Sequence, residues 1–229
     1  MHLWFKSDFR GKGAVTPVKR TIHRAQCLEG READTLAALQ QLTPAVQQRV
    51  ADEALLTISV FRWQRNLFLY CEHIREEIPP SELFGPLEPL LEPWPGEETK
   101  RRWVPMMEVF HFNRPASVEH WRRKQPPGKR LGKVGRIWPD KVASYIYYHY
   151  QLQEEQAFPG GKYQFIGLYE NMLFLYDELP QVREPLVHEK GLKTTGTPAN
   201  WEDSRMDLHF IPWPDGIRYN REIELVLGL

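Results

Sequence analysis

An internal duplication constrains this chain more than any other feature. Leu67-Phe68-Leu69-Tyr70-Cys71-Glu72 returns as Leu173-Phe174-Leu175-Tyr176-Asp177-Glu178, identical at five of six positions and 106 residues later, and each copy is entered from an asparagine, Asn66 or Asn171. Met107 to Phe112 is answered by Met206 to Ile211 at a spacing of 99, and Lys19-Arg20 by Lys129-Arg130 at 110. Three marks in one order predict two copies of a unit of about 100 residues, because a repeat of that length is a whole folding unit. Between them runs Arg114 to Gly128, with three prolines and an Arg-Arg-Lys run, which is linker composition.

Each copy has a readable rhythm. In the first, Arg20 to Glu29 alternates as a strand, and Arg31 to Val50 reads as a helix interrupted at Pro44. Leu55 to Trp63 and Asn66 to Ile74 are β-branched and aromatic runs two residues apart, the spacing of a hairpin. Ser81 to Leu91 is broken into turns by Pro86 and Pro89, and Trp103 to Asn113 closes the unit as a strand. The second copy repeats the order: strand Leu131 to Trp138, helix Pro139 to Gln156, strands Tyr163 to Tyr169 and Met172 to Leu179, and last strand Met206 to Ile211. The order β-α-β-β-(α)-β is the ferredoxin-like split arrangement. The sequence thus predicts an α+β fold of two ferredoxin-like units fused into an intrachain pseudo-dimeric barrel. Its parts are an N-terminal extension (1–18), a first unit (19–113), the linker (114–128), a second unit (129–212) and a tail (213–229). Glu222 to Leu227 in the tail alternates enough for one extra edge strand. If the uncovered sheet faces pack together, a ligand cavity is expected between them.

Charge and composition set the partners. Thirty basic and 30 acidic side chains leave no surplus to displace counterions, so nucleic acid is not an expected partner. The longest apolar run, Ala54 to Phe61, falls short of the roughly 18 to 20 residues that cross a bilayer, and Met1 to Arg10 lacks the apolar core of a secretory signal. The expectation is a soluble cytoplasmic protein, monomer or homodimer. Cys27 and Cys71 stand 44 residues apart with no CxxC pair, so neither a zinc site nor a disulfide framework is predicted, and each reads as a small apolar core residue.

The second copy resembles a known family. Arg130-Leu131-Gly132-Lys133-Val134-Gly135-Arg136-Ile137-Trp138-Pro139-Asp140-Lys141-Val142-Ala143-Ser144-Tyr145, followed by His149, is similar to the opening strand and helix of the L-rhamnose mutarotase family. Asn171 to Phe174, with Glu178 behind it, resembles the family's hairpin strand, and Asp207 to Ile211 its terminal strand; residues 130 to 212 are covered. The resemblance implies a dimeric α+β barrel acting on a small sugar, here held in one chain. It implies His149 as the proton-donating residue and Tyr145 as its helper on sugar, with Tyr163, Trp201 and Trp103 at substrate-contacting positions. The family's Trp-Pro after the histidine is missing, with Leu152 to Gln156 in its place.

The residues themselves allow that chemistry. Tyr145 and His149 are i and i+4 on one helix face, and an imidazole with a pKa near 6.5 can give or take the protons that opening a hemiacetal moves, with no metal or cofactor. Asp207 and His209, i and i+2 on the expected last strand, are a second acid/base pair, with Glu108 as the first copy's counterpart of Asp207. His111 and His23 read as hydrogen-bonded filler. The expected ligand is a monosaccharide. The alternatives are a barrel that binds a sugar without turning it over, and one that holds haem or an aromatic metabolite, with His149 or His209 as ligand. Seven basic residues against Glu119 between Arg114 and Lys133 read as a solvated linker, or as a lure for an anion. Gly191 to Pro198 is a polar loop able to fold over a cavity mouth.

Overall fold

The computed structural model of the 229-residue chain describes residues 18–95 and 100–229. The predicted N-terminal extension therefore lies outside the described residues, apart from Val18. The elements are β1 (Val18–Gln26), α1 (Glu32–Ala51), β2 (Leu55–Trp63), β3 (Asn66–Ile74), α2 (Pro80–Phe84), β4 (Val104–Pro105), β5 (Met107–His111), α3 (Val118–Trp121), β6 (Lys129–Arg136), α4 (Val142–Glu155), β7 (Phe165–Tyr169), β8 (Met172–Leu179) and β9 (Arg221–Gly228). This is a mixed α+β fold, with a nearly closed antiparallel sheet and few helices. The strand order is β4-β1-β3-β2-β9-β6-β8-β7-β5.

Closure works the same way at both seams. β4 pairs with β1 through Val104 and Pro105, Met106 donates to the Ile22 carbonyl, and the strand then crosses to β7 as β5. β9 likewise pairs with β6 from Arg221 to Ile223 and then with β2 from Glu224 to Gly228. A register shift marks each crossing strand's second pairing, between Glu108 and Phe110 and between Val60 and Phe61. An extra residue there sharpens the local twist, which a strand changing partners at a barrel seam requires.

Period-two alternation then sorts side chains into an inside and an outside. On β3 and β8, Phe68, Tyr70, Phe174 and Tyr176 point inward, while Leu67, Leu69, Leu173 and Leu175 face the helices. The interior is filled: Phe68 stacks on Phe174 at 5.0 Å, Tyr70 on Tyr176 at 3.8 Å, and Phe61 lies 5.5 Å from Phe174. Gly132 makes room, since a Cβ there would stand 2.3 Å from the Phe61 ring. Aromatic rings from both halves thus occupy the space between the sheet faces where a cavity was expected. Helix α1 covers the outer face of the first half and α4 that of the second.

Four other expectations are corrected. Helix α1 runs unbroken through Pro44, which is exposed, as is Gln40, whose carbonyl loses its intrahelical donor and can turn to water instead. Met206 to Ile211 is not a strand: Met206–Leu208 is a 3-10 turn and Phe210 makes only a single bridge to Ile137. The tail, expected as an extra edge strand, supplies β9, which sits mid-sheet between β2 and β6. The linker is not simply solvated, since Trp121 is fully buried and the Arg123 side chain is 12% exposed.

Candidate functional site

A large cavity lies under α4, on the outer face of the second half's sheet. Its volume is about 890 Å³. Helical spacing puts Tyr145, His149 and Leu152 on the buried side of α4, facing Ile166 of β7 and Leu175 of β8. Phe110 and Phe112 enter from the first half's crossing strand, and Trp201, Met206, Phe210 and Tyr219 come from the segment before β9. Seven aromatic rings (Phe110, Phe112, Tyr145, Phe158, Trp201, Phe210 and Tyr219) line the wall. Arg205, Asp207, Glu202, Asp203 and Arg218 supply the charge.

His149 is the polar centre of this apolar wall. Its ring stacks on Tyr145 at 4.0 Å and meets Trp201 and Phe110 edge-on at 5.4 and 5.5 Å. Nδ1 lies 2.9 Å from the Tyr145 carbonyl, and since a carbonyl only accepts, Nδ1 carries the proton. Nε2 is left as an acceptor, and no hydrogen bond to it is formed among the described residues. Burial pushes the pKa down to about 4, against a smaller upward pull from that carbonyl, with His209 adding to the depression. The imidazole is neutral at pH 7. Burial likewise drives the Tyr145 phenol upward, so it stays protonated.

The sequence-predicted residues divide. Tyr145, His149, Trp201 and Asp207 meet at this cavity. Asp207 sits on the 3-10 turn and forms an ion pair with Arg205 at 3.0 Å. His209 turns away from Asp207 into a buried place beside the cavity, its Nε2 2.8 Å from Ser144 Oγ and its Nδ1 donating to the Arg205 carbonyl at 3.2 Å. The two do not form an acid/base pair, because the strand that would have aligned them does not exist. Tyr163 lies inside the barrel, its hydroxyl donating to the Trp121 carbonyl at 3.3 Å. Trp103 packs on Phe84 at 5.7 Å in the first half's core. Neither reaches the cavity. Cys27 and Cys71 are buried against α1, where burial raises both thiols.

The polar loop does hold to α4. Thr194 Oγ1, the Gly196 amide and the Thr197 amide all donate to the Glu155 carboxylate, the last two at 2.8 and 2.7 Å. Burial would raise that carboxyl, but these donors outweigh it and hold the pKa at about 2. The loop is thereby tied to the helix just before Trp201 joins the cavity wall.

A second constellation was hidden in the duplicated motif. Tyr70 and Tyr176 each donate to the glutamate two residues on, Glu72 and Glu178, both at 2.6 Å. Arg123 reaches down from the linker between them, its Nη2 2.9 Å from Glu72 and 2.7 Å from Glu178, and its guanidinium lies 3.9 Å from the Tyr163 ring centre. Trp121 Nε1 adds a donor to Glu72 at 2.9 Å. Burial favours protonation of Glu72, but the Arg123 charge and these donors overcome it and keep the carboxylate ionised. The signal was the repeated Tyr-x-Glu, which places both groups on the interior face in both copies.

No protein-family model matches the chain, and no curated protein matches it in sequence. Among solved structures it is similar to a monooxygenase-like protein from Fusobacterium nucleatum, at 9% identity and a TM-score of 0.42 over 94% of this chain and 95% of that one. A monooxygenase-like protein from Lactobacillus acidophilus gives 7% identity and 0.41 over 93% and 95%. An anthrone oxidase-like protein gives 10% identity and 0.33 over 93% and 96%. A family tie to the rhamnose mutarotases is not shown by any of these. Among the described residues no helix is long and apolar enough to cross a membrane, and no cluster of three or more His, Cys, Asp or Glu side chains is placed to hold a metal ion.

Proposed function

We propose that the chain is two ferredoxin-like units fused in one polypeptide, and that the cavity under α4 binds a small, neutral, largely apolar molecule of the aromatic-metabolite class. The fused reading is supported by strand order. β4-β1-β3-β2 in the first half and β9-β6-β8-β7 in the second are the same permutation, and each half lends its last strand to the other. The ligand class is supported by one observation above others: about 890 Å³ walled by seven aromatic rings around a single unspent imidazole acceptor. Such a site rewards burial of an aromatic face and orients one hydroxyl or N–H toward His149 Nε2.

The same geometry disfavours a mutarotase. A proton donor at neutral pH needs a proton it can release, but the one on His149 is held by a backbone carbonyl and the ring does not take a second until about pH 4. The test is titration with 2-naphthol, followed by quenching of tryptophan fluorescence. Saturable binding that weakens roughly five- to tenfold in His149→Phe, the loss of one hydrogen bond, supports the reading. Equal affinity in the variant, or no binding, overturns it.

A further inference from the structure

A second cavity, of about 480 Å³, opens at the end of the barrel where β1 and β5 part company. Lys19 and Arg20 line it from β1, Arg75 from just beyond β3, Glu108 and His111 from β5, and Arg114 from the segment that follows. His111 is neutral there by its own bonding: Nδ1 donates to Glu108, and Nε2 accepts from Arg114 Nε at 2.8 Å. Four cations thus line it with one carboxylate, in a chain whose 30 basic and 30 acidic side chains cancel overall. Lys19 is engaged by Glu77 at 2.5 Å and Arg114 by Glu154 at 3.3 Å, whereas Arg20 and Arg75 meet no carboxylate within 4 Å among the described residues.

Arg20 is held ready. Its guanidinium lies over Phe165 at 4.4 Å and Trp121 at 4.9 Å, and Nη2 donates to the Asn113 carbonyl at 2.9 Å. Nη1 has no acceptor among the described residues. A charged donor left unmet calls for a partner that the described residues do not supply. Arg75 keeps a long side chain at a φ of 74°, a backbone conformation in which glycine would be cheaper. Guanidinium groups fixed around a small cleft suit planar or tetrahedral oxyanions, which they engage through paired N–H donors.

We infer that this cleft is a binding site for a small oxyanion, a phosphate or carboxylate group carried by a compact molecule. It lies on the face of β5 opposite Phe110 and Phe112, so it is distinct from the cavity under α4 and does not depend on the ligand assigned there.

The test is calorimetric titration at fixed ionic strength with inorganic phosphate in one arm and citrate in the other, since salt itself screens such a site. Saturable binding of either anion is expected, and the stronger arm names the class. Arg75→Gln, an exposed change, weakens it by about fivefold, the effect of one unit charge at 4 Å in water. Glu108→Gln keeps an acceptor for His111 Nδ1 while removing the one carboxylate, and tightens binding by a similar factor. Arg31→Gln, whose partner is Asp34 at the start of α1, beyond the other end of β1, leaves it unchanged. Absence of saturable binding in the millimolar range, or equal affinities for Arg75→Gln, Glu108→Gln and the parent protein, overturns the inference.

Discussion

His149 and Arg123 carry the sharpest consequences of single side chains. The imidazole is neutral because burial opposes its charge, so its folded pKa of about 4 lies below the 6.5 of an unfolded chain. Its contribution to stability is therefore present above pH 6.5 and is lost as pH falls from 6.5 to 4. Two and a half units amount to about 3 kcal/mol. His23 and His73, also pushed to about 4 chiefly by burial, steepen the same window. Nitrogen NMR is expected to show His149 with its proton on Nδ1 down to about pH 5, and His149→Gln is expected to flatten the acid limb of the stability curve by about that amount. Burial opposes the charge on Arg123 as well, but Glu72 and Glu178 outweigh it and keep the guanidinium ionised. Arg123→Ala leaves the Glu72 and Glu178 carboxylates facing each other without a counter-charge, at a cost of about 3 to 5 kcal/mol in urea unfolding. Glu178→Gln in that background is expected to restore part of the loss, since one uncompensated charge is gone.

Among elements, β9 decides whether the two halves make one molecule. It touches both β6 and β2, and Leu229 closes the end through bonds between its backbone and that of Ile58. Ile223→Ala, at the point where the strand passes from one partner to the other, is expected to cost about 2 to 5 kcal/mol and to keep a single unfolding transition. This strand is also where the sequence misled most. The hairpins were legible because their alternating β-branched and aromatic runs are self-contained, and Leu55 to Trp63 and Asn66 to Ile74 were placed to the residue. Glu222 to Leu227 alternates equally well, but nothing local says whether such a segment lies at an edge or mid-sheet. Only the pairing partners settle that. Met206 to Ile211 echoed Met107 to Phe112 in letters alone, and its strand pattern gave way to a 3-10 turn that builds the cavity mouth.

For the molecule as a whole, the repeated sequence marks were legible and the place of the cavity was not. The repeat put Arg20 opposite Glu72 and Arg130 opposite Glu178, so the equivalent residues pair in the same register. Sequence could show that two sheet faces needed cover. It could not show that the ring sizes of Phe61, Phe68, Tyr70, Phe174 and Tyr176 sum to a filled interior, because packing volume is a property of the assembled barrel. The free space lies instead between α4 and its sheet, where one half's helix meets the other half's crossing strand. The resemblance drew attention to Tyr145, His149 and Trp201, and helical spacing put the first two on one face. Phe110 and Phe112 were out of reach, since only the strand exchange brings them there.

The account turns on that location. Intermolecular nuclear Overhauser contacts from bound 2-naphthol measure it most directly. Contacts to the methyl groups of Leu152, Ile166 and Leu175, together with the rings of Phe110 and Phe112 from the other half, are the predicted result. Contacts confined to the barrel-lining rings of Phe68 and Tyr70, or none to α4, would contradict it.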